Sequence, residues 1–338
     1  MKIVMTLLVR DEADILDEHL TFHLNAGVDY VIATDHRSVD GTTEILRSYE
    51  RDGYVRLIRE DAERIRQSDW MTHMARLAAS EHGAGWVLSS DADEFWWPRG
   101  GSLEEVLETV PVRYGVVRAL SQSFVPRTSS GWFADQMTVR LALIAPINDP
   151  GSSFRPVAKV AHRADREIVV GQGNHDVSGA GMRTLRSWYP IELFHFPLRS
   201  PEQIARKHQN TLAAWHENLR GDLARARSFA GQGISRAFYE RVALDDDAIE
   251  NGLAAGLLVQ DTRLRDALRT LRGGVSGSQR PPVRRGVAHF DRSSLREDAA
   301  YAAEVLSLAD ADLVRFGRRV DELTARVAAL EGNGRRGR

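Results

Sequence analysis

Cysteine is missing altogether from the 338 residues, so neither a disulfide nor a thiolate metal site can form. Any bound metal must rest on aspartate, glutamate, histidine or carbonyl oxygen. Long apolar runs are missing too: none approaches the roughly 20 residues that a membrane-spanning helix requires. The opening Met1-Lys-Ile-Val-Met-Thr-Leu-Leu-Val9 is apolar, but Arg10-Asp-Glu12 cuts it short with the wrong flanks for an export signal. It reads as a buried strand, and a cytoplasmic protein is the expectation. Nor is one sign of charge in excess. The 45 basic and 47 acidic side chains leave a formal −2, which calls for neither a nucleic acid nor a membrane. Arg280-Pro-Pro-Val-Arg-Arg285 and Arg335-Arg-Gly-Arg338 are basic but too short to indicate a nucleic-acid partner. No internal repeat is visible.

What is present suits an ordinary folded protein, 43% hydrophobic and 27% charged, long enough for one large domain with an appendage or for two domains. The first hundred residues alternate strand and helix patterns. Ile3–Val9 is an apolar run of the kind covered on both faces. Ile15, Leu16, His19, Leu20, His23 and Leu24 share one helical face that Gly27 ends. Tyr30–Ala33, Val55–Ile58 and Trp86–Ser89 read as strands, with helices over Gly41–Tyr49 and Ser68–His82 between them. This alternation predicts an α/β fold with a mostly parallel sheet and flanking helices. Ligands in such sheets bind beyond the carboxyl ends of the strands. Three polar clusters fall there: Arg10-Asp-Glu12, Asp35 to Asp40, and Asp91 to Glu94.

From about 114 to 196 strand patterns dominate, at Tyr114–Leu120, Met137–Leu143, Val157–Ala161, Glu167–Val170 and Ile191–Phe194. Residues 211–272 read as a helical extension, 273–297 as a linker and 298–332 as an amphipathic helix. Leu306, Ala309, Leu313, Phe316, Val320, Leu323, Val327 and Leu330 form its seam, spaced alternately by three and four. That seam suits packing on its own domain, self-association as a coiled coil, or a partner protein.

Asp91-Ala-Asp93 carries the clearest chemistry. Two aspartates one residue apart, just past a buried strand, can both reach one hard cation, which keeps positions open for substrate phosphates. Such a cation neutralises a diphosphate leaving group as its bond to a sugar breaks. The pair alone is a weak signal, because similar pairs cap helices or sit in solvated turns. The Trp86-led strand before it and Glu94-Phe-Trp-Trp97 after it sharpen that signal.

Gly85-Trp-Val-Leu-Ser-Ser-Asp-Ala-Asp-Glu-Phe95 resembles the metal-binding segment of family 2 glycosyltransferases of the GT-A fold, with Ser89 and Ser90 more polar than usual. Leu8-Val-Arg-Asp-Glu-Ala-Asp-Ile-Leu16 with His23-Leu-Asn-Ala-Gly-Val-Asp29 resembles the family's opening strand and helix. Asp35-His-Arg-Ser-Val-Asp-Gly-Thr42 resembles the turn that cradles the nucleoside, and His195-Phe-Pro-Leu-Arg-Ser200 a later segment of one subgroup. The resemblance covers roughly residues 1–210. It implies a GT-A-type, Rossmann-like catalytic domain there, a nucleotide-sugar donor (UDP-sugar favoured, GDP- or dTDP-sugar possible) and Mn²⁺ or Mg²⁺.

Carried over residue by residue, the resemblance implies that Glu12, Asp35 and Asp40 hold the base and ribose. Asp40 also reads as a helix start. Asp91 would anchor nucleotide and metal, and Asp93 would ligate the metal, with Glu94 structural. His175, in Gly171-Gln-Gly-Asn-His-Asp176, and His195 are candidate further metal ligands, or histidines bonded within the core. Arg66 and Gln67 can reach the donor phosphates or sugar, and Arg199 and Lys207 the diphosphate; ion pairing and a solvated helix start are the plainer alternatives. Inverting transfer needs a base for the acceptor hydroxyl. Asp135 in Gly131-Trp-Phe-Ala-Asp135 stands where the family places it, with Trp132 and Phe133 available to stack on a sugar. The family's Glu-Asp pair is absent there, and Asp176 and Glu192 are the alternatives. The acceptor stays open, from polysaccharide and lipid-linked glycan to a small metabolite or a modified nucleobase. A nucleotidyltransferase is disfavoured because Leu8-Val-Arg-Asp-Glu12 holds no glycine for a phosphate loop. A non-catalytic scaffold is disfavoured by the intact Asp91 and Asp93.

Overall fold

A computed structural model describes residues 1–129, 131–142, 157–179, 181–185, 189–214, 232–273 and 318–326. The first half follows the alternating pattern. Strands β1 (Ile3–Val9), β2 (Tyr30–His36), β3 (Val55–Glu60) and β4 (Trp86–Asp91) are joined by helices α1 (Leu16–Asn25), α2 (Thr42–Arg51) and α3 (Gln67–Ser80). Gly27 follows α1 at φ 114, a left-handed conformation that a side chain there would strain. Beyond the turn at residues 92–93 come β5 (Glu94–Pro98), α4 (Leu103–Glu108), β6 (Val116–Ser123), α5 (Phe133–Gln136) and β7 (Val139–Leu141). Then follow β8 (Ala158–Arg163), β9 (Val169–Val170), β10 (Val177–Ser178), β11 (Thr184–Leu185) and β12 (Ile191–His195). Helices α6 (Pro201–Ala214), α7 (Gln232–Val242) and α8 (Asp246–Ala254) precede β13 (Leu258–Gln260) and α9 (Arg263–Arg272).

The central sheet runs β3-β2-β1-β4-β8-β6-β12-β5, with β11 on β6. Its first four strands are parallel. The expectation of a mostly parallel sheet needs correction beyond β4. There β8 lies antiparallel to both β4 and β6, and β5 lies antiparallel to β12, so the sheet is mixed. For β5 the reason is local: it doubles back after a tight turn, with no crossover helix to bring it round parallel.

Register explains why the polar clusters meet. Val9 pairs with Asp35 and Leu8 with Asp91, so the carboxyl ends of β1, β2 and β4 end at one edge. His195 pairs with Glu94 on one side and Ser123 on the other, which brings the end of β12 to the same place. Beneath lies an aromatic core. Phe22, Phe95, Trp96, Phe124, Phe194 and Phe196 are buried, each worth roughly 1.5–3 kcal/mol in burial. Leu264 and Leu268 of α9 join this core, and β13 pairs with β7, so residues 258–272 pack into the body of the protein. Among the described residues no helix is long and apolar enough to cross a membrane. Residues 318–326 are helical, with Val320 and Leu323 exposed; the rest of the apolar seam and the linker after Gly273 lie outside the described residues.

Candidate active site

The two loops beyond β1 and β2 are clasped together by their own side chains. Asp35 is buried and accepts from Ser38 N (3.1 Å), Thr43 Oγ1 (2.5 Å) and Arg59 Nη1 (2.6 Å). Asp40 accepts from Ala13 N (3.1 Å), Thr42 N (3.1 Å) and Thr42 Oγ1 (2.6 Å), so it starts α2 and ties it to the end of β1. Glu12 is ion-paired with Arg199, which also bonds Asp14 (2.7 and 2.9 Å) and the Phe196 carbonyl (3.1 Å). Burial raises the pKa of Glu12 above its ordinary value, against the pull of Arg199 and Lys207. Arg66 pairs with Asp69 in solvent, while Gln67 accepts from Gly173 N (3.3 Å) and Gln172 (2.6 Å), joining α3 to the loop before His175.

The Asp91-Ala-Asp93 turn is fixed from below and from both sides. Ser90 Oγ lies 3.1 Å from the Asp91 carbonyl, takes a bond from Trp96 Nε1 (3.1 Å) and sits 3.4 Å from His19 Nε2. Both serines of β4 are buried, which gives their polarity a structural role under the turn. Lys159, on β8, reaches Asp91 Oδ2 (2.5 Å) and Glu94 Oε1 (3.1 Å). Burial works to strip the Lys159 proton, but the two acids outweigh it and hold the ammonium charged. Burial pushes Glu94 up to about 8 despite Lys159, and its Oε2 accepts from Asp91 N (3.1 Å). The buried Asn174, left-handed at φ 62, donates to Asp91 Oδ1 (3.3 Å).

Asp93 is buried, with Oδ2 held by Lys207 Nζ at 2.9 Å and Arg199 Nη1 3.9 Å away. Burial opposes its charge, yet Lys207, His195 and Arg199 together outweigh burial and keep the carboxyl well below the usual range. Its Oδ1 faces His195 Nε2 at 3.8 Å, too long for a hydrogen bond. Burial depresses His195 to about 4, so its ring is neutral at pH 7 and one nitrogen has a lone pair for a cation. His175 Nδ1 donates to the Ala158 carbonyl (2.9 Å), leaving its Nε2 as the acceptor.

The candidate ligands Asp91, Asp93, His175 and His195 are not all brought to one point. Among the described residues no three His, Asp or Glu side chains converge as metal ligands, and Asp93 with His195 is the pair that approaches. This donor set still suits Mn²⁺ or Mg²⁺, which commonly takes one or two protein ligands together with substrate phosphates and water.

On the other flank, Asp135 of α5 pairs with Arg269 at 2.6 Å. Phe133 cannot stack on a sugar as expected, because it is buried against Phe95 and Phe196. Trp132 donates to Glu18 (3.0 Å), and the Arg272 guanidinium lies 4.9 Å over its ring. Glu192, an alternative base, is buried between Arg99 (2.8 Å) and Arg263 (2.9 Å). Burial pushes its acid up, but Arg263 and Arg99 outweigh that and hold it low, so it is a poor proton acceptor. Asp176 is exposed, and its carbonyl accepts from Gly171 N (2.9 Å).

Lys159 and Asn174 were not foreseen among the site residues. Lys159 had a signal: a lone lysine in the apolar run Val157-Ala-Lys-Val-Ala161 is a buried charge that needs a partner. Asn174 had none beyond its place in a glycine-rich loop.

With this geometry in place, the sequence profile of glycosyltransferase family 92 matches residues 5–126, about a third of the chain and the part that builds β1 to β6. The chain is an enzyme of the glycosyltransferase class. No curated protein matches it. Among solved structures, it is similar to S. aureus TarS 1-349 in complex with UDP, at 13% identity over 75% of this chain and 79% of that one, TM-score 0.32. It is also similar to glucosyl-3-phosphoglycerate synthase from Mycobacterium tuberculosis in complex with Mn²⁺, UDP and glucosyl-3-phosphoglycerate, at 18% identity over 48% of this chain and 57% of that one, TM-score 0.28.

Proposed function

We propose that the chain transfers a sugar from a nucleoside diphosphate-sugar to a hydroxyl acceptor, with inversion, and that the donor lies along the carboxyl edge of β1, β2 and β4. The observation that carries this reading is Asp93 Oδ1 facing His195 Nε2 across 3.8 Å at that edge, beside Arg199 and Lys207. Asp93 and His195 would hold a divalent ion, which supplies positive charge to the departing diphosphate. Asp91, fixed by Lys159 and Asn174, keeps the turn in shape and presents its remaining acceptor capacity to the nucleotide. Glu12, Asp35 and Asp40 would shape the nucleoside end through the clasp they form, and Arg66, paired with Asp69 in solvent at the start of α3, would reach the donor phosphates. Asp135 is our candidate for the base that removes the acceptor proton.

Thermal unfolding with UDP-, GDP- and dTDP-sugars, each with and without Mn²⁺, tests the donor reading. One nucleotide should stabilise the protein only when metal is present, with a gain of about 2.7 kcal/mol at a hundred times its Kd. Asp93→Ala should abolish that gain. No response to any of the three at millimolar concentration would overturn the reading.

A further inference from the structure

Three cations neutralise the acids of the turn, and they differ in how firmly they are placed. The Lys159 side chain is 7% exposed and Arg199 2%; Lys207, which bonds Asp93 at 2.9 Å and is also drawn by Glu12, is 46% exposed. Lys207 is carried by α6, on a flexible four-carbon stem. Asp93, 4% exposed, needs a counter-charge whenever it is ionised, because a buried carboxylate without one is costly. Yet Asp93 is also the acid that a divalent ion beside His195 has to use, and Lys207 occupies its Oδ2.

We infer that Lys207 is an exchangeable counter-ion: it holds Asp93 while the donor site is empty, and releases it to the metal as its ammonium moves to the donor diphosphate. The inference rests on the donor reading proposed above. Lys159 cannot play this part, since it is buried between two acids, and Arg199 cannot, since Glu12 and Asp14 keep it in place. The consequence is mutual dependence. Metal alone meets an ammonium already seated on its ligand, whereas metal with a nucleoside diphosphate gives that ammonium somewhere to go. The two should bind together much better than either binds alone.

Mn²⁺ binding to the wild type, Lys207→Gln and Lys207→Arg, read from the spectrum of free Mn²⁺ with no nucleotide present, tests this directly. Lys207→Gln should bind Mn²⁺ alone about tenfold more tightly, the order expected for removing a neighbouring like charge that solvent partly screens. Lys207→Arg keeps the counter-ion and should stay near the wild type. Adding UDP, GDP or dTDP should tighten Mn²⁺ binding in the wild type and do so less in Lys207→Gln. Unchanged or weaker Mn²⁺ binding in Lys207→Gln overturns the inference; if the wild type still binds one nucleotide with Mn²⁺, the donor reading survives it. If neither Mn²⁺ nor any nucleotide binds the wild type or the variants, both fall together.

Discussion

Around the Asp91 turn, three acids answer to cations from three separate parts of the fold: Lys159 from β8, Arg199 from the segment after β12, and Lys207 from α6. Around Asp135, two acids answer to one helix, with Arg269 of α9 on Asp135 and Arg272 on Glu18. The first set includes two cations that are nearly inaccessible, while the Arg269 and Arg272 side chains are 56% and 48% exposed, and of the two acids there only Glu18 is buried. Charges paired out of water are expensive to separate, and charges paired in water are worth little. The flank we assign to the donor is thus held rigidly, and the flank we assign to the acceptor is lightly tethered. That division suits an enzyme whose nucleotide site must be preorganised while its acceptor site admits a bulky second substrate.

The largest effect should come from cutting the rigid side. Lys159→Ala leaves the buried Glu94 and the part-exposed Asp91 without their cation, and should cost about 2–3 kcal/mol, less than a fully buried ion pair because solvent reaches Asp91. Urea unfolding would show it as a fall in the midpoint at unchanged slope. A loss below about 1 kcal/mol would mean that the turn is not held by its lysine, and the contrast between the two flanks would dissolve.

Acid should act on the strand that carries Lys159, at its far end from the Asp91 turn. His162 lies on β8 three residues after Lys159, fully buried, with Nδ1 donating to the Arg163 carbonyl at 2.9 Å. Burial depresses it to about 4, against an ordinary value near 6.5. The stability its neutral ring contributes is complete above pH 6.5. It drains away as pH falls toward 4, because the unfolded chain takes up a proton that the folded chain refuses. His162→Gln should therefore flatten the pH dependence of stability between 6.5 and 4 by about 2–3 kcal/mol. An unchanged slope in a melting series across that range would show that the ring is not held neutral.

How much of this was legible before the structure depends on which flank is considered. Strand β1 was readable to its ends, because an apolar run closed by Arg10-Asp-Glu12 has few other meanings. The convergence of Asp35 and Asp91 followed from parallel pairing of short strands. Antiparallel β8 was not readable, since strand direction is set by partners far away in sequence and leaves no mark on periodicity. For the same reason Lys159 was not foreseen as the partner of Asp91 and Glu94. The aromatic pair Trp132 and Phe133 misled, because stacking on a sugar and packing into a core call for the same side chains; burial chose the core for Phe133. Least legible was the role of α9. Its Leu264 and Leu268 join the main core and its arginines reach Asp135 and Glu18, contacts across well over a hundred residues of sequence.

The smallest effect should come from cutting the light side. Arg269→Ala removes the partner of Asp135 but exposes no buried charge, since both groups already meet water. It should cost less than about 1 kcal/mol in urea unfolding, the range for exposed pairs. Its nucleotide- and metal-dependent thermal shift should match that of the wild type, because α9 reaches none of the acids of the Asp91 turn through an observed ion pair. A loss as large as that of Lys159→Ala would place Asp135 and Arg269 in the rigid framework. The acceptor flank would then be as fixed as the donor flank, and room for a bulky acceptor would have to come from elsewhere in the fold.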